Sequence, residues 1–343
     1  MSANEHIAIV GAASLRGKEL NEALGESLFA AADFVLMDDQ EAIGQLESVG
    51  DEVTFVQPVA QSSFTDADFT FFTGDAELTR KHWQAAARAG SAVLDLSGAL
   101  DDEPETVVMA PWVPGSLERL SLRTRAVLPA HPAALMLALI LGQVRQATAV
   151  QAAFATVLEP SSEYGRAAMD ELHQQTVSLL SFQPLPKELY DAQIAFNATP
   201  AAGAEAKIHL QATEARIRRH YGLLAAGKLP EAAIQLVHVP VFHGHTLSLG
   251  LEVTRPMTPE QLGQLLAANE HIEVACSDED APSNLAAAGQ EAVLVRVRAA
   301  DDEAKPTTRF WLWAACDNLK LTALNAVACA LEMRRLRPKG QVQ

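Results

Sequence analysis

The sequence is poor in cysteine, and the cysteines that it has are far apart. Its 343 residues contain three, Cys276, Cys316 and Cys329, and no pair has the CxxC spacing of a zinc site. An odd number of scattered cysteines also argues against a disulfide framework. We therefore expect no metal site and no disulfide bond, and interpret these residues as free thiols of a reducing compartment.

Basic residues and long apolar runs are equally scarce. The chain has 26 Lys and Arg residues and 43 Asp and Glu residues, which gives a net charge of −17. Because binding to nucleic acid requires clustered basic side chains, this charge argues against a nucleic-acid partner. The most apolar stretch, 126–142, is interrupted by Pro129, His131 and Pro132, so no membrane span is predicted. The first six residues lack the basic start and apolar core of a signal peptide, and we expect a cytoplasmic protein.

The beginning of the chain has the element order of a dinucleotide-binding unit. An apolar strand at 6–10 leads into the small-residue turn Gly11–Gly17, a helix over 18–32 and a second strand at 34–37. The alternation continues through strands at 53–56, 69–73 and 92–96 and a helix at 76–89. Strands that alternate with helices predict a doubly wound, Rossmann-type parallel sheet over residues 1–128.

The pattern changes after Pro132, where an α+β domain with a large mixed sheet is predicted over residues 129–320. The last helix, 321–336, is apolar on more than one face and is expected to pack on the first domain. The first domain therefore comprises 1–128 and 321–343. Within the second domain we predict helices at 133–143, 166–180 and 213–225, and strands at 147–157, 235–241, 246–254, 291–298 and 308–314.

The turn after the first strand is a candidate cofactor site. Gly11, Ala12, Ser14 and Gly17 would present backbone N–H groups to a pyrophosphate at the start of a helix. The GxGxxG pattern is incomplete because Ser14 holds its middle position, so a tight turn without a ligand remains an alternative.

Two acidic residues follow the second strand and bear on the choice of cofactor. Asp38 is placed to bind the ribose hydroxyls of NAD, and with Asp39 it would repel the 2′-phosphate of NADP. NAD is therefore favoured over NADP. The alternative is that the two acids cap a surface loop and that no cofactor is bound.

Several segments of the chain match the sequence pattern of one known enzyme family. The most specific blocks are Gln193–Asn197 (QIAFN), Val239–His245 (VPVFHGH) and Asp317–Leu319 (DNL) followed by Leu324–Ala326 (LNA). Further matching segments, in the order of the family, are residues 7–17, 93–97, 130–134 and 169–172. On these segments the chain resembles the aspartate-semialdehyde dehydrogenases, most of all their Usg-type paralogues, which look like the enzyme without its active site. The resemblance spans essentially the whole chain and implies a homodimer that pairs through the sheet of the second domain.

The resemblance also implies where the chemistry should be. In the family a cysteine thiolate attacks an aldehyde, a histidine handles the proton and the nicotinamide cofactor takes the hydride. The matching segment here runs from His131 to Leu135, so that Ala134 holds the nucleophile position and His245 the acid–base position. A methyl group cannot act as a nucleophile, and we predict an inactive paralogue.

Other departures from the family point the same way. Four further positions of the family carry other residues in this chain. Leu158 or Glu159 replaces a glutamine, and Asp101 replaces an anion-binding arginine. Val237 or His238 replaces a second arginine, and Lys207-Ile208 replaces a Lys–Glu pair. Two alternatives stay open. One is an NAD-dependent oxidoreductase on another small carbonyl or anionic ligand, polarised by His245 or Tyr164, and the other is a divergent semialdehyde dehydrogenase of amino-acid biosynthesis with a relocated cysteine.

Overall fold

The computed structural model describes residues 5–39, 42–49, 52–276, 281–302 and 304–336. Two compact units divide the chain: the first comprises residues up to Pro111, 116–130 and those from Thr322 onward, and the second 112–115 and 131–321. The domain limits 128 and 321 that we drew from the sequence stay a prediction. The extreme N-terminal residues of the targeting prediction, and those after Leu336, lie outside the described residues.

A seven-stranded parallel sheet forms the centre of the first unit, in the order β5-β2-β1-β6-β7-β9-β8. The Rossmann-type sheet predicted from the sequence is thereby confirmed. The unit contains β1 (His6–Val10), α1 (Leu15–Gly25), β2 (Asp33–Asp38), β3 (Leu46–Val49), β4 (Glu52–Phe55), β5 (Gln57–Pro58), β6 (Phe69–Phe72), α2 (Ala76–Arg88), β7 (Ala92–Asp95), β8 (Thr106–Met109) and β9 (Ala126–Pro129).

Two elements predicted in the first unit differ in the structure, and the strands β3, β5, β8 and β9 were not predicted. The helix expected over 18–32 ends at Gly25, because the Ser27 hydroxyl donates to the carbonyl of Leu24 and accepts from the N–H of Phe29, in competition with helical bonds. The strand expected at 53–56 is β4, which forms a separate antiparallel hairpin with β3 and not a strand of the parallel sheet.

The second unit is built on a six-stranded mixed sheet in the order β11-β10-β12-β15-β14-β13, which confirms the predicted mixed sheet. It contains α3 (Pro132–Arg145), β10 (Val150–Glu159), α4 (Arg166–Leu180), α5 (Leu210–Ala225), β11 (Ala233–His238), β12 (His245–Met257), α6 (Pro259–Ala267), β13 (Ile272–Val274), β14 (Val293–Ala299) and β15 (Thr307–Cys316). The β10–β11 and β13–β14 pairs are parallel, and the other three pairs are antiparallel.

The last helix, α7 (Asn318–Leu336), contributes its C-terminal part to the core of the first unit. Ala326, Val327 and Ala330 pack in one buried cluster with residues that include Ile9 and Phe71 of the parallel sheet. Among the described helices, none is both long enough and apolar enough to cross a bilayer.

The segment between α4 and α5 has little regular structure and is held by two buried side chains of α4. The carboxylate of Glu171 accepts from the N–H groups of Leu189, at 2.7 Å, and Tyr190, at 3.3 Å. The amide of Gln175 is saturated by four backbone groups, namely the N–H groups of Ile194 and Ala195 and the carbonyls of Pro186 and Ala192. Backbone groups that a helix or strand would satisfy are thus satisfied by side chains.

We expect Gln175→Leu to lower the free energy of unfolding by about 3 kcal/mol, because two buried and two partly buried backbone groups lose their partner. Denaturant titration measures this change. Gln174→Leu, at the exposed neighbouring position of α4, is the matched control and should change stability little. Equal stabilities of the two variants would contradict the structural role of the Gln175 amide.

Candidate functional site

Ala134, which the family resemblance places at the nucleophile position, lies in the first turn of a buried helix. Pro132 occupies the first helical position of α3, where its missing N–H costs nothing, and His131 is the N-cap. The Nδ1 atom of His131 accepts from the N–H of Ala133 at 3.2 Å, and the backbone N–H of His131 donates to Nδ1 of His220 at 2.9 Å. Ala134 is fully buried, so this turn presents a methyl group and no nucleophile.

Four chemically active side chains come from the strand ends at one edge of the mixed sheet. His245 is the first residue of β12 and pairs with Cys316, the last residue of β15. Glu159 is the last residue of β10 and pairs with His238, the last residue of β11. All four side chains are buried. Strand direction therefore brings together residues that are up to 157 positions apart, from 159 to 316.

His131, Glu163 and His245 form a buried cluster beside this edge. The Nε2 atom of His131 lies 3.3 Å from Oε1 of Glu163, and the rings of the two histidines meet edge to face with centroids 5.5 Å apart. One nitrogen or carboxylate oxygen from each residue lies within 4.8 Å of the others. Sequence reasoning singled out His245 but missed Glu163, because nothing in the local sequence of Glu163 distinguishes it.

The imidazole of His245 is neutral in this environment. Burial lowers its pKa to about 3, the Glu163 carboxylate opposes that shift, and His131 adds to it. Neither ring nitrogen has a hydrogen-bond partner among the described residues, although both are buried. An unsatisfied buried polar group costs free energy, so this side chain is retained at a cost to stability.

Glu159 and Tyr164 form a second polar pair near the cluster. The Tyr164 hydroxyl donates to Oε2 of Glu159 at 2.8 Å and lies 2.9 Å from the Thr213 hydroxyl. Burial, with the neighbouring Glu163 carboxylate, raises the pKa of Glu159 well above its usual value. The hydroxyl that we considered for carbonyl polarisation is therefore already engaged on two sides.

Two of the three cysteines are buried thiols. Cys316 is buried with its sulfur 3.2 Å from that of Met136, and burial raises the pKa of its thiol well above the usual value. Burial has the same effect on the pKa of Cys329 in the core of the first unit. Cys276, which follows β13, is exposed. Both buried thiols are protonated at neutral pH, and a thiol is a far weaker nucleophile than a thiolate.

The glycine turn of the first unit is packed against itself. Gly11 has a left-handed φ of +87°, and a Cβ added there would overlap the backbone of Gly74. A Cβ at Gly17 would lie 2.5 Å from the carbonyl oxygen of Gly11. Both glycines are therefore required by the turn itself, whether or not a ligand approaches it.

The polar groups of this turn are bonded to one another. The Ser14 hydroxyl accepts from the N–H of Gly17 and donates to the carbonyl of Thr73, both at 2.9 Å. The Asp38 carboxylate accepts from the N–H groups of Ala13 and Asp39, both at 2.9 Å. The N–H groups of Gly11 and Ala12 share the carbonyl of Met37. A dinucleotide would therefore compete with internal hydrogen bonds for several of the groups that we assigned to it.

Comparisons with known proteins agree with one another. Residues 6–119 match the family model "Semialdehyde dehydrogenase, NAD binding domain", and residues 141–321 match "Semialdehyde dehydrogenase, dimerisation domain". A USG-1 protein homolog from Pseudomonas aeruginosa is 32% identical, covering 95% of this chain and 97% of that protein. An aspartate-semialdehyde dehydrogenase from Rickettsia bellii is 26% identical, and the alignment covers 97% of this chain and 98% of that protein.

Solved structures extend the similarity to three dimensions. The structure of a probable aspartate-semialdehyde dehydrogenase from Pseudomonas aeruginosa superposes with a TM-score of 0.84 at 29% identity, over 97% of this chain and 99% of that one. Aspartate semialdehyde dehydrogenase II from Vibrio cholerae has the same TM-score at 24% identity, over the same shares of the two chains, and shows the common fold.

His238 should make folding sensitive to mild acid. Burial lowers the pKa of His238 to about 4, while the unfolded chain protonates this histidine near pH 6.5. The unfolded state thus binds the extra proton between these values, so stability falls as the pH drops, by about 2 kcal/mol at pH 5 for this group. Denaturant titrations at pH 7 and pH 5 measure the loss.

In His238→Phe, which keeps a ring to stack on Tyr190, this part of the pH dependence should disappear. His173→Phe, at an exposed position of α4, is the control and should leave the pH dependence unchanged. If the free energy of unfolding changed with pH by the same amount in wild type and in His238→Phe, His238 would not be held neutral in the folded protein.

Proposed function

This chain belongs to the aspartate-semialdehyde dehydrogenase family, and we propose that it is a catalytically inactive, dimeric member of the Usg type. The observation that carries the proposal is the buried methyl group of Ala134 at the position where the resemblance requires a thiolate. Covalent catalysis by this family needs a thiolate, whereas the two buried thiols, Cys316 and Cys329, are protonated at neutral pH.

The state of His245 supports the same proposal. An imidazole with a pKa of about 3 is neutral at pH 7 and cannot act as a general acid there, and it lies in a site without a nucleophile to activate. The two alternatives are less well supported. Tyr164 is engaged by Glu159 and Thr213, and Cys316 is a buried thiol packed on Met136.

For the cofactor, we propose weak binding of NAD or none, with NADP disfavoured. The first unit matches an NAD binding domain, and its sheet has the required topology. The internal bonds of Ser14 and Asp38 oppose tight binding, because a nucleotide must replace them. The 2′-phosphate of NADP, placed at the end of β2, would also be repelled by the Asp38 carboxylate. NAD lacks this phosphate and avoids the repulsion.

The outer face of the mixed sheet supports a homodimer. Phe154 of β10 and Trp311 of β15 flank Gly250 of β12 in register, and the two aromatic side chains are 64% and 54% exposed. Trp313 lies on the same face two residues further on. Exposed aromatic residues grouped in this way are typical of protein interfaces, and the residues fall in the matched dimerisation domain.

We expect the purified protein to oxidise no aspartate semialdehyde with NAD or NADP, and Ala134→Cys to restore no turnover, because the glutamine and arginine positions of the family are also changed. Ala133→Cys, with a thiol on the same turn, is the control for non-specific thiol chemistry. Calorimetry with both nucleotides accompanies the assay and should give at most weak NAD binding. Robust wild-type turnover would refute the proposal, and micromolar NAD binding would refute its cofactor part.

Trp311→Glu should convert the dimer into a monomer at micromolar concentration, because a carboxylate would be buried at the centre of the apolar face. Light scattering coupled to size-exclusion chromatography measures the mass. Leu28→Glu, at a similarly exposed apolar residue of the first unit, is the control and should stay dimeric. A monomeric wild type, or a dimeric Trp311→Glu protein, would contradict the assignment of this face.

A further inference from the structure

The cluster of His131, Glu163 and His245 has the composition of a metal-binding site. The residues come from three separate places: the N-cap of α3, the turn between β10 and α4, and the first position of β12. All three are buried, and their candidate ligand atoms lie within 4.8 Å of one another. We predicted the absence of a metal site from the spacing of the cysteines, and that spacing carries no information about a site made of two histidines and a glutamate.

His245 provides an independent reason to expect a ligand here. Both of its ring nitrogens are fully buried and lack a hydrogen-bond partner among the described residues. A neutral imidazole carries one free lone pair, which is the form that coordinates metals. Coordination would satisfy a polar atom that the protein itself leaves unsatisfied.

The donor set selects the class of ion. Two imidazoles and one carboxylate are typical ligands of zinc and of other divalent first-row transition metals, whereas magnesium and calcium prefer oxygen alone. The positive end of the α3 dipole opposes a cation at this place. The carboxylate of Glu163, 3.3 Å from Nε2 of His131, supplies the compensating negative charge.

We propose that His131, Glu163 and His245 bind one divalent transition-metal ion of the zinc class, next to the turn that carries Ala134. His131 would coordinate through Nε2, so its remaining ring proton lies on Nδ1 and the cap bond from the Ala133 N–H is given up. This proposal goes beyond the inactive-paralogue proposal, because metal binding is measured without any dehydrogenase assay.

Three single variants test the site. His131→Asn removes one ligand but keeps a good helix N-cap, Glu163→Gln removes the negative charge, and His245→Leu removes the unsatisfied imidazole. Each protein is stripped with a chelator and titrated with Zn²⁺ by calorimetry and with Co²⁺ by visible absorption. Because the residues are buried, proteins from zinc-supplemented cultures are also examined by elemental analysis.

Wild type should bind one Zn²⁺ per chain, and Co²⁺ should give ligand-field bands in the visible range. Each ligand variant should lower the affinity at least about 100-fold, while His173→Leu, at an exposed histidine of α4, keeps wild-type binding. Equal affinity of wild type and all three ligand variants would place the ion elsewhere and overturn the proposal. A wild-type protein that binds no zinc in either preparation would also overturn the proposal, whether or not it turns over a semialdehyde.

Discussion

The arrangement of the candidate site depends on the antiparallel pairing of β12 with both β10 and β15. This pairing puts the start of β12 beside the ends of its two neighbours, and β11, parallel to β10, ends at the same edge. His245, Cys316, Glu159 and His238 are therefore adjacent because of strand direction, before any contact between their side chains is considered. Topology decides which positions meet, and the side chains at those positions decide what chemistry is available.

Sequence reasoning succeeded where the structural signal is local. The parallel strands of the first unit are continuous apolar runs, and α4 spans the predicted residues 166–180, so both could be read from short windows. It missed β9, whose apolar residues run into those of α3 without a periodic boundary, and the three-residue strand β13. Ala134 and His245 were predicted as site residues from the family resemblance alone, whereas Glu163 acquires its place only through the tertiary fold.

The polar side chains described above in the two units are largely hydrogen-bonded within the protein. In the glycine turn, Ser14 and Asp38 bond the backbone, and in the second unit Glu171 and Gln175 do the same for a long irregular segment. Such bonds stabilise the fold and at the same time reduce the number of groups that a ligand can engage. His245 is an exception, since it is kept neutral by burial and both of its buried ring nitrogens lack a hydrogen-bond partner among the described residues, and it is for this reason the residue of greatest interest.

The division of the first unit between the two ends of the chain affects how the protein is made. Its core includes Ala326, Val327 and Ala330 of α7, which leave the ribosome only after residues 131–321 of the second unit. During translation, the apolar surface that α7 covers stays open to water and to chaperones while the second unit is already complete. The nearly continuous second unit can thus finish folding before the unit whose synthesis began first.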